Sequence, residues 1–187
     1  MTAVAIVYHS AGGGTRKLAE AVARGAASEA GTTASLHAVP DVDHAALAAA
    51  DAIVFGCPTS MGSASAAFKS FMDGTIELGA LQTWRDKLAA AFTLAAAPGG
   101  DGLGTLTQLA MFAAQHGMIW VGAGRHLGAI AQLPPDARGV LEGDLAAAEG
   151  LGRRIAEAAR RWSGAEPTDV DAPRAPSAGA APAAPAA

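Results

Sequence analysis

The chain has 187 residues, of which 51% are hydrophobic but only 5% aromatic, and its formal net charge is −4. So mild a charge gives no electrostatic basis for binding nucleic acid or an anionic membrane surface, and neither is predicted as a partner. Cys57 is the only cysteine, which excludes an internal disulfide and a thiolate metal cluster. Because the sequence shows no secretory leader and no membrane-spanning apolar run, the expected location is the cytoplasm.

Short apolar runs alternate with segments of helical periodicity along most of the chain. In chain order the predicted elements are a strand at 3–8, a helix from 15 that stops at 31, a strand at 32–39, a helix at 43–51, a strand at 52–56, a helix at 63–74, a strand at 87–96, a helix at 102–117, a strand at 118–124 and a helix at 138–162. This alternation indicates βαβ units with right-handed crossovers. The predicted fold is a doubly wound, five-stranded parallel α/β sheet of order 2-1-3-4-5, with helices on both faces.

The composition changes after Trp162, which is predicted to pack the last helix onto the sheet. Residues 164–187 consist mainly of Ala, Pro and Gly and offer almost nothing to bury. One domain is therefore predicted over 1–163, followed by a disordered, solvated tail. A tether to a partner is the alternative for this tail.

The turn after the first strand, "HSAGGGT", contains three consecutive glycines between Ser10 and Thr15. Glycines let backbone N–H groups converge on an anion, and the helix that follows adds the positive end of its dipole. This set suits a phosphate monoester, although the turn matches neither the G-x-G-x-x-G fingerprint nor the Walker motif. The alternative is a plain tight turn with Thr15 as the helix N-cap.

Two further turns are expected at the same edge of the sheet, since ligands of such sheets bind outside the carboxyl ends of the strands. The second, "GCPTSMGS", offers hydroxyls, amides and a glycine that could grip the edge of a flat polar heterocycle. The third, "AAAPGGDG", is small and could cover a planar ligand. Either could also be an ordinary loop.

Residues 51–75, "DAIVFGCPTSMGSASAAFKSFMDGT", strongly resemble the second-loop segment of WrbA-type NAD(P)H:quinone oxidoreductases. The glycine-rich third turn and the "HGM" triplet that begins at His116 match the same family. The first turn fits the broader pattern of the flavodoxin-like superfamily, which includes NADPH-dependent FMN reductase-like flavoproteins. The resemblance therefore implies a flavodoxin-like fold over the matched part of the chain.

The resemblance also implies a site for FMN, with NAD(P)H as the electron donor and a quinone-like molecule as the acceptor. The first turn would hold the phosphate through Ser10, Ala11, Gly12, Gly13, Gly14 and Thr15. The isoalloxazine ring would meet the second and third turns through Pro58, Thr59, Ser60, Met61, Gly62, Ala95, Ala96, Ala97, Pro98, Gly99 and Gly100. His116 would lie near the exposed face of the flavin, whereas a helix-end histidine that complements the dipole is the alternative.

This chain departs from the WrbA pattern at three aromatic positions, where Gly12, Met61 and Gly79 stand. The flavin pocket is therefore expected to be open, and Trp84 is a candidate substitute for the aromatic missing at Gly79. The resemblance implies a homo-oligomer, either a dimer or a tetramer. The segment before the third strand is shorter than in WrbA and lacks an insertion associated with the tetramer.

Three functions follow from these features. The first is an FMN-dependent NAD(P)H:quinone oxidoreductase; the others are a flavodoxin-type electron carrier and an adaptor without cofactor. Carriers usually enclose the ring between aromatic residues and are strongly acidic, unlike this chain. Cys57 is predicted to be a buried structural thiol rather than a redox group. The scattered histidines show no ligand spacing, so no metal site is predicted.

Overall fold

The computed structural model describes residues 1–96, 101–134 and 139–164, and all fold statements below refer to these ranges. The seven strands are β1 (Thr2–Tyr8), β2 (Thr32–Ala38), β3 (Ala52–Ser60), β4 (Ser63–Ala64), β5 (Leu88–Ala95), β6 (Ile119–Trp120) and β7 (Ala129–Gln132). The six helices are α1 (Gly14–Ala27), α2 (His44–Ala49), α3 (Ala66–Gly74), α4 (Ile76–Ala80), α5 (Asp101–Gln115) and α6 (Glu142–Ser163).

The sheet has the order β2-β1-β3-β5-β6, and β7 also pairs with β5. All of these pairs are parallel, while β4 returns antiparallel along the end of β3. The flavodoxin-like fold predicted from the alternation of strands and helices is therefore confirmed. Among the helices of the described ranges, none is both long and apolar enough to cross a membrane.

The fifth strand position differs from the prediction, which placed one strand at 118–124. Only Ile119–Trp120 pairs there, with the first half of β5, and the second half of β5 pairs with β7 instead. Between them the chain turns at Ala123 and His126, whose backbones form hydrogen bonds with each other. It returns through Gly128, where an added β-carbon would lie 2.2 Å from the carbonyl oxygen of Ala91. Because glycine has no β-carbon, it permits this tight re-entry.

Helices α3, α4 and α6 also differ from the prediction. Helix α3 begins at Ala66 rather than 63, because the residues just before it pair with β3 as β4. The short helix α4 was not predicted, and α6 begins at Glu142 rather than 138. The predicted start of that last helix, and the predicted tail from 165 onward, lie outside the described residues.

Each face of the sheet is covered by helices, which explains why its strands are continuous apolar runs. Along β1, Val4 and Ile6 face α1 and α6, while Ala5 and Val7 face the side of α2, α3 and α5. Leu151 and Ile155 anchor α6 on its face. Trp162 does not pack α6 onto the sheet, contrary to the prediction. Its side chain is 42% exposed, and its indole N–H donates to the carbonyl of Asp86.

Candidate functional site

Three segments meet at the carboxyl edge of the sheet, where doubly wound folds bind their ligands. They are the turn between β1 and α1, the β3–β4 hairpin, and the residues that follow β5. The first two are tied together, because the imidazole Nδ1 of His9 lies 2.8 Å from the hydroxyl of Ser65 at the start of α3. The backbone N–H of His9 also donates to the carbonyl of Gly56 on β3.

The glycine turn after β1 has the geometry of an anion-binding nest. Gly13 is the N-cap of α1 and has a φ of 82°, in the left-handed region. Among the described residues, no atom lies within 4 Å of a β-carbon added at Gly12 or Gly13. Within the described ranges, no acceptor contacts the backbone N–H groups of residues 11–15. Unpaired donors at the positive end of a helix fit a phosphate group.

The hydroxyls that flank this turn differ in their surroundings. The Oγ of Ser10 accepts the backbone N–H of Arg16 at 3.1 Å, which leaves the Ser10 proton free to be donated. Thr15 is only 1% exposed and is not the N-cap, a role that Gly13 fills. Gly14 lies against β5, since a β-carbon there would be 2.5 Å from Cδ2 of Leu94. Close contact with the sheet thus positions the turn.

The second predicted turn is largely strand. Pro58 lies in β3 opposite Leu94, and β3 continues to Ser60. A two-residue turn of Met61 and Gly62, with φ values of 50° and 74°, then leads into β4. Positive φ at both central residues is the signature of a tight hairpin turn that matches strand twist. The segment that was predicted to meet the ring is therefore a tight hairpin, and Met61 at its tip is fully exposed.

The side chain of Thr59 is already engaged within the protein. Its hydroxyl oxygen lies 2.8 Å from that of Thr93 on β5 and 2.8 Å from that of Thr105 on α5. Ser60, by contrast, is exposed. Of the two hydroxyls predicted to meet the ring, Thr59 therefore points into the interior network and Ser60 faces solvent.

The third predicted turn is described only at its two ends, and its last two residues, Asp101 and Gly102, belong to α5. Ala95 ends β5, is buried, and accepts the backbone N–H of Leu133 through its carbonyl. Ala96 is exposed at the same edge. The predicted contacts of Ala97, Pro98, Gly99 and Gly100 lie outside the described residues. Ala95 and Ala96 do lie at the edge that the glycine turn and the hairpin share.

The structure does not bring His116 to this edge. It follows the last residue of α5 and lies near the start of β5, where Asp86 N–H donates to the Gly117 carbonyl. The imidazole is 3% exposed, stacks on Trp84 at 4.3 Å, and has its Nε2 3.0 Å from the hydroxyl of Thr75. Burial lowers the pKa of His116, which favours the neutral ring. His116 and Trp84 are thus core groups at the opposite edge of this chain.

Cys57 is fully buried in β3, as predicted, and burial raises the pKa of its thiol to about 12. At pH 8 such a thiol is ionised to about 1 part in 10⁴, whereas a free thiol of pKa about 8.5 is roughly one quarter ionised. We therefore expect iodoacetamide to alkylate the native protein at least 100-fold more slowly than the urea-unfolded chain. Equal rates, followed by mass spectrometry, would contradict the buried position.

Sequence patterns did not identify four residues that shape this edge: Ser65, Thr93, Thr105 and Gln108. The side chains of Thr105 and Gln108 lie on a helix, where local pattern gives no signal, whereas Thr93 lies in an apolar strand. A polar residue within a buried strand was the one available hint, because buried polar groups need partners. Gln108 accepts hydrogen bonds from the Ala64 N–H and the Ser63 hydroxyl.

Fold and site together define a mononucleotide-binding α/β protein of the doubly wound type. The chain belongs to the NADPH-dependent FMN reductase family, whose model matches residues 1–130. FMN and a nicotinamide nucleotide donor, which the sequence predicted, are thus the cofactor and donor of its family. The protein is a flavodoxin-like flavoprotein of the oxidoreductase class.

Individual relatives agree with this assignment. The WrbA-like flavodoxin from Agrobacterium tumefaciens has a solved structure with 40% sequence identity and a TM-score of 0.77, and the match covers 86% of this chain and 99% of that one. Flavodoxin FldP from Pseudomonas aeruginosa is 32% identical, over 83% of this chain and 96% of its own. An NAD(P)H dehydrogenase (quinone) from Archaeoglobus fulgidus is 31% identical, over 86% and 99%. The predicted WrbA-type resemblance is confirmed.

Proposed function

We propose that the protein is an FMN-dependent NAD(P)H oxidoreductase that passes two electrons to a quinone or a similar small acceptor. The observation that carries this proposal is the tip of the β3–β4 hairpin. The residue there is Met61, which is fully exposed and is not aromatic. A ring held against such a tip is accessible to small molecules. The relative named as a quinone dehydrogenase supports the same acceptor class.

The residues of this chain would act by binding and positioning. The phosphate of FMN would lie over Gly12 and Gly13, among the N–H groups of residues 11–15 and the hydroxyl of Ser10. The ring would lie between the hairpin tip and the residues that follow Ala95. Bound FMN supplies hydride acceptance and electron transfer, so the protein has to provide placement and access.

No side-chain acid or base is demanded by hydride transfer to an oxidised flavin, and the imidazole of His9 at this edge is engaged with the Ser65 hydroxyl at 2.8 Å. His116 is at the far edge and Cys57 is buried within β3. Selectivity for the acceptor then depends on shape and stacking. Because aromatic contacts of about 0.5–1.5 kcal/mol each are missing at the hairpin tip, small quinones should bind weakly, with a high KM and broad tolerance.

Anaerobic stopped-flow mixing tests the proposal. FMN-loaded protein is mixed with NADH and, separately, with NADPH, and the visible absorbance of oxidised flavin is followed; free FMN at the same concentration is the control. At least one nucleotide should bleach the protein-bound flavin on the timescale of seconds, far faster than free FMN. Benzoquinone added afterwards should restore the colour, with ping-pong kinetics in steady state.

A flavodoxin-type electron carrier is the second candidate, and the relative named flavodoxin FldP favours it. Under that function neither nucleotide would bleach the flavin directly, and bleaching would require a reductase protein. Such a result in the same stopped-flow experiment would replace the oxidoreductase proposal with the carrier. The open hairpin tip and the mild net charge of −4 argue for the enzyme.

A further inference from the structure

The hydroxyls of Thr59, Thr93 and Thr105 form a chain whose direction can be derived. Thr93 donates its only proton to the carbonyl of Cys57 at 2.7 Å. Its contact with Thr59 therefore requires Thr59 to be the donor, and the proton of Thr59 is then used as well. It follows that Thr105 donates to Thr59. The chain runs from α5 through the hairpin to β5 and ends on a backbone carbonyl.

Helix α5 contacts the β3–β4 hairpin at two further positions. Gln108 accepts both the backbone N–H of Ala64, at 2.8 Å, and the hydroxyl of Ser63, at 2.9 Å. A β-carbon at Gly104 would lie 2.7 Å from the carbonyl oxygen of Gly62, so the helix backbone rests directly on the turn. Positions 104, 105 and 108 lie on one face of the helix.

These contacts fix the hairpin from both of its strands. Thr105 holds β3 through Thr59, Gln108 holds β4 through Ser63 and Ala64, and Gly104 meets the turn between them. The same helix begins at Asp101, within the segment predicted as the third turn. One helix thus sets where the exposed tip lies relative to the end of β5.

We infer that Thr105 and Gln108 are positioning residues for the ring end of the flavin site, an inference that rests on the proposed function. They do not touch the glycine turn that would hold the phosphate. Substituting them should therefore weaken only the contacts with the isoalloxazine ring. The loss of affinity should then be the same for FMN and for riboflavin, which lacks the phosphate. Loss of either side chain should also loosen the hairpin in the apoprotein, before any flavin is bound.

The test compares Thr105→Val and Gln108→Leu with Thr107→Val, a matched control on the same helix whose exposed hydroxyl donates only to the Leu103 carbonyl. Dissociation constants for FMN and riboflavin are measured by flavin fluorescence, and hydrogen exchange of residues 59–64 is measured in the apoprotein. Thr105→Val should weaken both flavins by the same factor, roughly two- to tenfold, as expected for one lost hydrogen bond.

Gln108→Leu removes an acceptor of two hydrogen bonds and should weaken both flavins by roughly tenfold or more. Exchange at residues 59–64 should become faster in both variants, while Thr107→Val and the conservative Thr105→Ser should behave as wild type. Gln108→Leu leaves the hydrogen bonds among Thr59, Thr93 and Thr105 intact. It therefore tests the inference even if Thr105→Val fails to fold.

Two results would overturn the inference while leaving the proposed function standing. One is wild-type affinity for both flavins in Thr105→Val and Gln108→Leu; the other is a loss that affects FMN but not riboflavin, which would place the effect at the phosphate. A wild-type protein that binds neither flavin would overturn the proposed function and the inference together.

Discussion

Gly13→Val should abolish FMN binding, or weaken it by at least 100-fold, while the fold survives. Gly13 has a φ of 82°, which a β-branched residue resists at a cost of about 1–3 kcal/mol. No atom of the described residues lies within 4 Å of its added β-carbon, so we expect the fold to survive, but the side chain would enter the space above the glycine turn. Each charge-assisted hydrogen bond that the phosphate loses there is worth about 1.5–3 kcal/mol.

Gly31→Val is the matched control for backbone strain. Gly31 has a φ of 75° and lies in the turn before β2 at the amino edge of the sheet, where an added β-carbon would meet none of the described residues within 4 Å. The two variants should show similar losses in melting temperature of the apoprotein, and only Gly13→Val should lose FMN in a fluorescence titration. An equally yellow Gly13→Val protein would show that this turn does not hold the phosphate.

The strands and their order could be predicted because both faces of a parallel sheet are buried. Val4 and Ile6 point to one core and Ala5 and Val7 to the other, so the segment reads as an unbroken apolar run. Once strands and helices alternate, the right-handed crossover rule leaves few topologies. The turn after β1 was recognised for a related reason, since three consecutive glycines at a strand–helix joint have few structural uses.

The β3–β4 hairpin could not be predicted from local pattern. Pro58, Thr59 and Ser60 are typical of loops, yet they continue β3 because Pro58 lies opposite Leu94 in the sheet. Met61 has a φ of 50°, a conformation that sequence reasoning reserves for glycine or asparagine. Pairing between β3 and β4 therefore decides the structure, and it overrides the residue preferences.

The position of His116 was predictable from topology rather than from motif. A helix that connects two parallel strands returns from the carboxyl edge to the amino edge, so a residue after the end of α5 lies far from the turns that precede it. The "HGM" match pointed to the flavin, whereas the crossover geometry points to the amino edge, and the chain places His116 there against Trp84. Sequence similarity identified the family, whereas the direction of the chain shows at which edge of the sheet His116 lies.

The contact between α1 and α6 was also hidden in the sequence, because a glycine within a helix normally signals weak helix propensity. Here two such glycines let the backbones touch. A β-carbon at Gly152 would lie 2.0 Å from the carbonyl oxygen of Val22, and one at Gly25 would lie 2.0 Å from that of Glu149. The exposed ion pair between Arg24 and Glu149 flanks this contact and contributes little by comparison.

Gly152→Ala should therefore destabilise the apoprotein by roughly 2 kcal/mol, the net of an overpacking cost at or above about 3 kcal/mol and a propensity gain of about 1 kcal/mol. The displaced atom belongs to the backbone of α1, so the helices must separate rather than a side chain rotate. Gly150 is on the same helix, and a β-carbon there would have none of the described residues within 4 Å, so Gly150→Ala should instead stabilise by about 0.5–1 kcal/mol.

Urea unfolding of both variants, followed by far-ultraviolet circular dichroism, measures this difference. For a chain of this size, a loss of 2 kcal/mol also corresponds to a fall in melting temperature of roughly 4–8 °C. Gly25→Ala should behave as Gly152→Ala does, because each glycine faces a carbonyl of the opposite helix. If Gly152→Ala and Gly150→Ala prove equally stable, the backbones of α1 and α6 do not approach as closely as this packing requires.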